Sequence, residues 1–276
     1  MIIHIPDIHG NAYAIDDSKP LAHFINADCM AAMEQFPDDY FDLAIVDPPY
    51  GSGGKVDCNS NNLQQGGYWI GSDASAPGFG GGRFKRYQIQ AAPITATRTA
   101  GSRAAKYQTE ANNIRHWDVV PQPEYFAELA RVAKNQIIWG GNYFDLPPTR
   151  CFVVWRKLTI SESFSMAMCE YAWASYNDNA KYFECAPQGT AIAPRIHPTQ
   201  KPIKLYQFLL SAFAKPGDRI LDTHVGSASS LIAFHRAGYG YVGTEIDPSY
   251  YKAASERLSR ETAQLTLFGS VRKDDE

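Results

Sequence analysis

Between Lys204 and Leu258 the chain alternates between helical and strand patterns without a break, and this alternation restricts the fold more than any other feature. Leu205, Phe208, Leu209, Ala212 and Phe213 recur at helical spacing and define one apolar face of a helix over 204–214. Arg219 to Leu221 reads as a strand, Ser227 to Ala237 as a helix and Tyr241 to Ile246 as a strand. Pro248, suited to a first helical turn, opens a helix that runs to Leu258. Strands and helices joined in this way require parallel strands with helices on the sheet faces, so an α/β fold around a mostly parallel sheet is expected. Upstream, the same reading gives a helix around Met30 to Gln35, a strand from Phe41 to Val46, a helix from Pro123 to Ala133 and a strand from Gln136 to Trp139. Cys151 to Trp155 and Glu170 to Ser175 read as two more strands, and 177–196 as irregular.

Two loops at strand ends carry chemistry. The first is Asp222-Thr223-His224-Val225-Gly226-Ser227-Ala228-Ser229. Gly226 lets backbone approach a ligand, and the next helix offers free N–H groups at its start. Glu245, 19 residues beyond Gly226 at the end of the next strand, suits the two hydroxyls of a ribose. A nucleotide-type cofactor follows. The loop lacks G-x-G-x-x-G, which argues against a nicotinamide dinucleotide, and an α/β connection that merely needs a glycine is the alternative.

The second loop is Asp47-Pro48-Pro49-Tyr50, directly after a buried-strand pattern. The two prolines fix φ and have no N–H, so the turn is stiff. The Asp47 carboxylate and the Pro48 carbonyl are two acceptors, the number needed to hold both hydrogens of an –NH2 group and turn its lone pair outward. Tyr50 supplies a flat face for a base turned out of its stack. Such a site works by positioning and electrostatics, with no metal and no nucleophile. Taken alone, the four residues also fit a proline-stiffened turn.

Composition narrows the setting. The 276 residues are 45% hydrophobic and 20% charged, with no apolar run of membrane-span length and no charged-then-apolar leader, so a cytoplasmic protein without membrane contact is expected. Cys29, Cys58, Cys151, Cys169 and Cys185 are odd in number and lack a C-x-x-C pair, which argues against a disulfide frame or a zinc site. The net charge of −3 by itself says nothing of nucleic acid, yet Arg83 to Arg115 holds seven Lys or Arg and a single acid, Glu110. Asp7-Ile8-His9-Gly10-Asn11 has the form of a first metallophosphoesterase motif but lacks a convincing second metal-binding cluster.

The motifs, in their order, resemble the beta class of S-adenosylmethionine-dependent DNA amino-methyltransferases, in which the catalytic motif precedes the cofactor motif. Asn26-Ala27-Asp28-Cys29 precedes the catalytic strand and Asp47-Pro48-Pro49-Tyr50 ends it. His197-Pro198-Thr199-Gln200-Lys201-Pro202 opens the amphipathic helix, and Leu221 to Ser229 and Gly243-Thr244-Glu245 follow. The resemblance implies a doubly wound, seven-stranded class I methyltransferase (Rossmann-like) sheet with circularly permuted motif order. The methyltransferase domain would be 26–262, with 1–25 as an N-terminal extension, 51–115 as a basic, Gly-rich insertion and 263–276 as a flexible tail. It implies that Asp28 binds the cofactor's adenine amine and Glu245 its ribose. Asp47, Asp222, His224, Gly226 and Ser227 would line the cofactor, and Thr199 and Lys201 would lie near its methionine carboxylate. The chain departs from the family loop D-P-F-x-G-S-G at Thr223, His224 and Ala228, and Ala228 adds a methyl where backbone nears the ligand.

The implied activity is site-specific transfer of a methyl group from S-adenosylmethionine to adenine N6 in double-stranded DNA, as in restriction-modification, with cytosine N4 as the alternative base. The motifs also fit an RNA amino-methyltransferase or a non-catalytic DNA- or clamp-binding adaptor. Arg83, Lys85, Arg86, Arg98, Arg103 and Lys106, interleaved with Phe84, Tyr87 and Tyr107, are the expected DNA contacts, against the alternative of a solvated loop. Gln264-Leu265-Thr266-Leu267-Phe268 has the form of a short peptide that docks on the polymerase sliding clamp, against the alternative of a tail packed on its own domain. Dimerisation is common in the family, so a homodimer is a further expectation.

Overall fold

A computed structural model describes residues 1–51, 119–161, 167–187 and 195–268, with side chains as far as residue 263. β1 (Ile2–Pro6) and β2 (Ala12–Asp16) form an antiparallel hairpin. The main sheet holds β3 (Ala22–Ile25), β4 (Leu43–Val46), β5 (Gln136–Trp139), β6 (Phe152–Lys157), β7 (Cys169–Ala174), β8 (Lys181–Cys185), β9 (Arg219–Asp222) and β10 (Gly240–Thr244). Their order is β3-β10-β9-β4-β5-β7-β6-β8. β7 pairs antiparallel with both of its neighbours, and every other pairing in the sheet is parallel. The helices are α1 (Cys29–Met33), α2 (Pro123–Val132), α3 (Ile203–Phe213), α4 (Ser229–Arg236) and α5 (Pro248–Phe268).

The core explains why an unbroken apolar run becomes a strand. All four residues of β4 are buried, and successive side chains point to opposite faces. Leu43 and Ile45 pack with Leu205 and Leu209 of α3 and Leu231 of α4. Ala44 and Val46 pack with Leu129 and Val132 of α2 and with Ile3, Ile5 and Ile15 of the hairpin. Both faces are therefore covered, as a parallel sheet requires. This is a doubly wound α/β architecture around a mostly parallel sheet, as expected.

Three boundaries differ from the sequence reading. Residues 22–25, assigned to an N-terminal extension, are the edge strand β3, paired with β10 from Tyr241↔Ala22 to Thr244↔Ile25. The hairpin before it is packed on the sheet through Ile3, Ile5 and Ile15, so 1–25 belongs to the same core. The stretch 177–196, read as irregular, contains β8, which pairs with β6 and brings the sheet to eight strands, rather than seven, among the described residues. As an edge strand, β8 is only half-buried, with Tyr182 and Glu184 exposed, so its sequence carries little hydrophobic signal. Finally, α5 continues past Leu258 to Phe268, so Gln264–Phe268 is helical in backbone. The side chains of that peptide lie outside the described residues.

The described residues on either side of 52–118 meet. Gly51, at φ +70°, lies so close to Val120 that a Cβ would come within 2.2 Å of Val120 Cγ2. Cys58 and the expected DNA contacts Arg83, Lys85, Arg86, Arg98, Arg103 and Lys106, with Phe84, Tyr87 and Tyr107, lie outside the described residues.

Candidate active site

Strand order reverses between β9 and β4. From β9 the sheet continues outward through β10 and β3, and from β4 through β5. These five strands run parallel, so one crevice opens at their carboxyl ends, where ligands bind in such sheets. The acids singled out in the sequence stand along that edge. Asp28 follows β3, Glu245 follows β10, Asp222 ends β9 and Asp47 follows β4.

Asp47 is held by two donors. The Tyr50 hydroxyl donates to Oδ1 at 2.6 Å, and the Lys201 ammonium pairs with Oδ2. Lys201 is almost completely buried, which alone would lower its pKa, but Asp47 and Glu170 outweigh burial and raise it. Its Nζ also lies 3.3 Å from Glu170 Oε2 and 5.4 Å from the Trp139 ring centroid. Glu170 in turn accepts Lys157 at 2.6 Å through Oε1. Burial pushes the Glu170 carboxyl up, but Lys201 and Lys157 together bring it below its ordinary value. Burial, then the Asp47 charge, raises the Tyr50 pKa well above that of a free phenol, so its hydroxyl keeps its proton and remains a donor.

The Tyr50 ring is wedged. It stacks on Tyr143, with centroids 5.0 Å apart and planes at 21°, and meets Phe144 edge-on at 6.1 Å. Gly140, at φ +68°, ends β5 directly against it, and a Cβ there would stand 2.2 Å from Tyr50 Cε1. One side of the ring expected to receive a base is thus already occupied by Tyr143. The substitution Gly140→Ala combines a left-handed backbone with this clash. It is expected to displace Tyr50, remove the Asp47 Oδ1 hydrogen bond and lower the methyl transfer that the sequence motifs imply about tenfold or more. Cofactor affinity, measured by calorimetry, should change little.

The cofactor half is built from backbone donors and acids. Glu245 Oε2 accepts the Gly226 N–H at 2.8 Å, and Oε1 accepts the Asp247 N–H at 3.0 Å. Gly226 takes φ +55° and Ala228, the N-cap of α4, φ +60°. A left-handed alanine costs roughly 1–2 kcal/mol, but its methyl is fully buried, which recovers about 0.8 kcal/mol. Ser227 is buried, its hydroxyl 3.1 Å from that of Ser229, and its carbonyl accepts Arg257 at 2.6 Å. Asp28 caps α1, its Oδ1 accepting the N–H groups of Met30 and Ala31 at 2.9 and 3.0 Å. Asn26 donates to the Glu245 carbonyl at 2.6 Å and so ties the end of β3 to the end of β10. Burial lowers the pKa of both His224 and His197 to about 4, so both are neutral at pH 7. His224 Nδ1 lies 2.9 Å from the Thr223 hydroxyl and its ring meets Tyr125 edge-on. His197 packs beside Gly226, with Thr199 Oγ1 3.1 Å from its Nδ1.

The structure therefore brings Asp47, Tyr50 and Lys201 into one cluster, and sets Asp222, Gly226 and Glu245 across the strand reversal. Thr199 is exposed beside His197 and lines one pocket with Lys157 and Glu170. Sequence reasoning missed Glu170, Lys157, Tyr143 and Gly140. For Gly140 a signal existed, a Gly-Gly pair closing a strand; for Glu170 and Lys157 there was none. Asp7-Ile8-His9-Gly10-Asn11 proves to be the hairpin turn. Asp7 Oδ1 accepts the N–H groups of His9 and Asn11, both at 2.8 Å. Among the described residues no group of three or more His, Cys, Asp or Glu is placed to hold a metal, and no helix is long and apolar enough to cross a membrane.

Residues 169–256, from β7 into α5, match the N6_N4_Mtase family model, described as DNA methylase. Over these residues, about a third of its length, the chain is similar to the N6/N4 DNA methylases. The chain is 23% identical to YubD of Escherichia coli (strain K12), a protein named as a putative methylase, over 92% of this chain and 97% of the relative. It is 40% identical over 65 residues, 24% of each chain, to the type II methyltransferase M2.DpnII of Streptococcus pneumoniae. Similar solved structures include an M1.HpyAVI–SAM complex, with TM-score 0.48 and 14% identity over 86% of this chain and 98% of that one. Another is the cytosine-N4-specific PvuII DNA methyltransferase, with TM-score 0.48 and 13% identity over 91% and 96%.

Proposed function

We propose that this protein transfers a methyl group from S-adenosylmethionine to adenine N6 in double-stranded DNA. The carrying observation is the Asp47 carboxylate, held at the carboxyl end of β4 beside the strand reversal that sets it next to Asp222 and Glu245. The residues fit the cofactor. Each Glu245 oxygen accepts one backbone N–H and keeps acceptor capacity for a ribose hydroxyl. Asp28 and Glu245 stand along the same edge as acids with no cation paired to them among the described residues, which suits a cationic sulfonium better than an anionic dinucleotide.

When bound, S-adenosylmethionine supplies a methyl group already activated on sulfur. The chain's own task is placement. Asp47 and the Pro48 carbonyl accept the two amine hydrogens and hold the nitrogen lone pair toward the methyl donor. As positive charge develops on that nitrogen, the Asp47 carboxylate stabilises it, and the hydrogen-bonded proton leaves along the same contact. Tyr50, fixed by Gly140 and Tyr143, keeps Asp47 in register. An aspartate at the first motif position favours adenine.

Mass spectrometry of nucleosides from duplex DNA treated with protein and cofactor tests this reading. N6-methyladenine is the expected product. N4-methylcytosine would move the target to cytosine, and methylation confined to RNA would replace DNA as the substrate. Cofactor binding without any product would favour a non-catalytic adaptor.

A further inference from the structure

Lys201 stands between two carboxylates, and only one of them has a place in methyl transfer. On Asp47 the ammonium occupies Oδ2, and with the Tyr50 hydroxyl on Oδ1 both oxygens are engaged. A cation seated there competes with the target amine for its acceptor and opposes the positive charge that develops on the nitrogen. The second carboxylate is ready to take it. Glu170 Oε2 is buried, has no hydrogen-bond partner among the described residues and faces Lys201 Nζ at 3.3 Å. A charge-assisted N–H···O contact closes to about 2.7–2.9 Å, so a small swing of the lysine terminus seats it.

We propose that Glu170 is a positioning residue, the second seat of the Lys201 ammonium, to which Lys201 shifts from Asp47 when the target amine arrives. The proposal rests on the reading of Asp47 as the amine's acceptor. Lys157, bound to Glu170 Oε1 at 2.6 Å, holds the second seat in place from β6. The four groups Asp47, Glu170, Lys157 and Lys201 sum to zero charge, so the shift moves a cation within a balanced cluster, and Asp47 then keeps the Tyr50 hydroxyl and the target amine as its donors. Other titratable groups close to this cluster include Tyr50 on the catalytic loop, His197 on the lysine's own segment, Tyr206 on α3 beside Asp47 and Glu170, Asp222 at the end of β9, and Arg195, which lines one pocket with Lys157 and Glu170. The Trp139 ring lies against the ammonium from β5.

Two experiments decide it, and the first needs no activity. In a crystal structure of Asp47→Asn the lysine loses its charged partner at position 47. Nζ is expected within normal hydrogen-bond distance of Glu170 Oε2. A lysine that stays on the side-chain amide oxygen at position 47 would overturn the proposal. The second is the single-turnover methyl-transfer rate of Glu170→Gln between pH 6 and 10. With the second seat neutral, Lys201 remains on Asp47, and the rate at pH 7 should fall about tenfold with cofactor affinity within about twofold. Glu170 also helps keep the ammonium protonated, so its loss lowers the lysine's pKa. The deficit should therefore shrink as pH rises and the lysine becomes neutral, a pH dependence that lost packing alone would not produce. An unchanged rate, or a deficit independent of pH, would overturn the proposal. Should Lys157, left without its partner, unfold this variant, Glu170→Gln with Lys157→Met removes both charges and is read in the same way. A parent chain that transfers no methyl group refutes the proposed function, and the crystal structure still decides the second seat.

Discussion

Asp47→Ala is expected to lower methyl transfer by roughly 10²–10⁴-fold while cofactor affinity stays within a few-fold of the parent. On the proposed mechanism the loss is chemical, because Asp47 would provide the charged acceptor in a site that works by positioning. Its effect on folding should be modest. Removing one member of a buried ion pair ordinarily costs about 3–5 kcal/mol because the other charge is left alone. Here Lys201 keeps Glu170, 3.3 Å away, as a second carboxylate. Isothermal calorimetry with S-adenosylmethionine and a radiolabelled-methyl assay on duplex DNA separate the two effects. A variant that retains the parent rate would remove Asp47 from the mechanism.

Asp222→Asn is expected to have the opposite signature: a more stable protein at neutral and alkaline pH, with weakened cofactor binding. Asp222 is 2% exposed, and burial, reinforced by the charges of Asp47 and Glu245, raises its pKa to about 7. The Ser230 hydroxyl on Oδ2 and the His224 N–H on Oδ1 oppose that rise and do not cancel it. Below the ordinary carboxyl pKa of 3.8 the group is protonated in both folded and unfolded chains and has no effect on stability. Between there and about pH 7 the unfolded chain releases the proton while the folded one keeps it, so stability falls as pH rises. Above pH 7 both are ionised, and the penalty levels off at roughly 2–4 kcal/mol. An amide has no such titration. The difference in denaturation free energy between variant and parent should therefore grow from pH 4 to 7 and then stay constant. A difference that is flat across this range would mean that Asp222 is ionised throughout. An acid kept at such a cost where ligand sites form is the pattern expected of a functional group.

Much of this was legible in the sequence. The β4 run Leu43-Ala44-Ile45-Val46 and the strands and helices from α3 to α5 follow from local apolar periodicity. Since Asp47, Asp222 and Glu245 each close a strand, a parallel sheet already implies that they share one edge. Local pattern also set the stiffness of the Pro48-Pro49 turn. It failed for strands whose stability is borrowed. β3 is a strand because β10 pairs with it, and β8 because β6 does. The cluster of charges was beyond reach for the same reason. Lys201 and Asp47 are 154 residues apart, and Glu170 enters only because antiparallel β7 starts at the edge where its neighbours end. Periodicity records which face of an element is buried. Which buried charges meet is decided by long-range strand pairing, and that exists only once the sheet has formed.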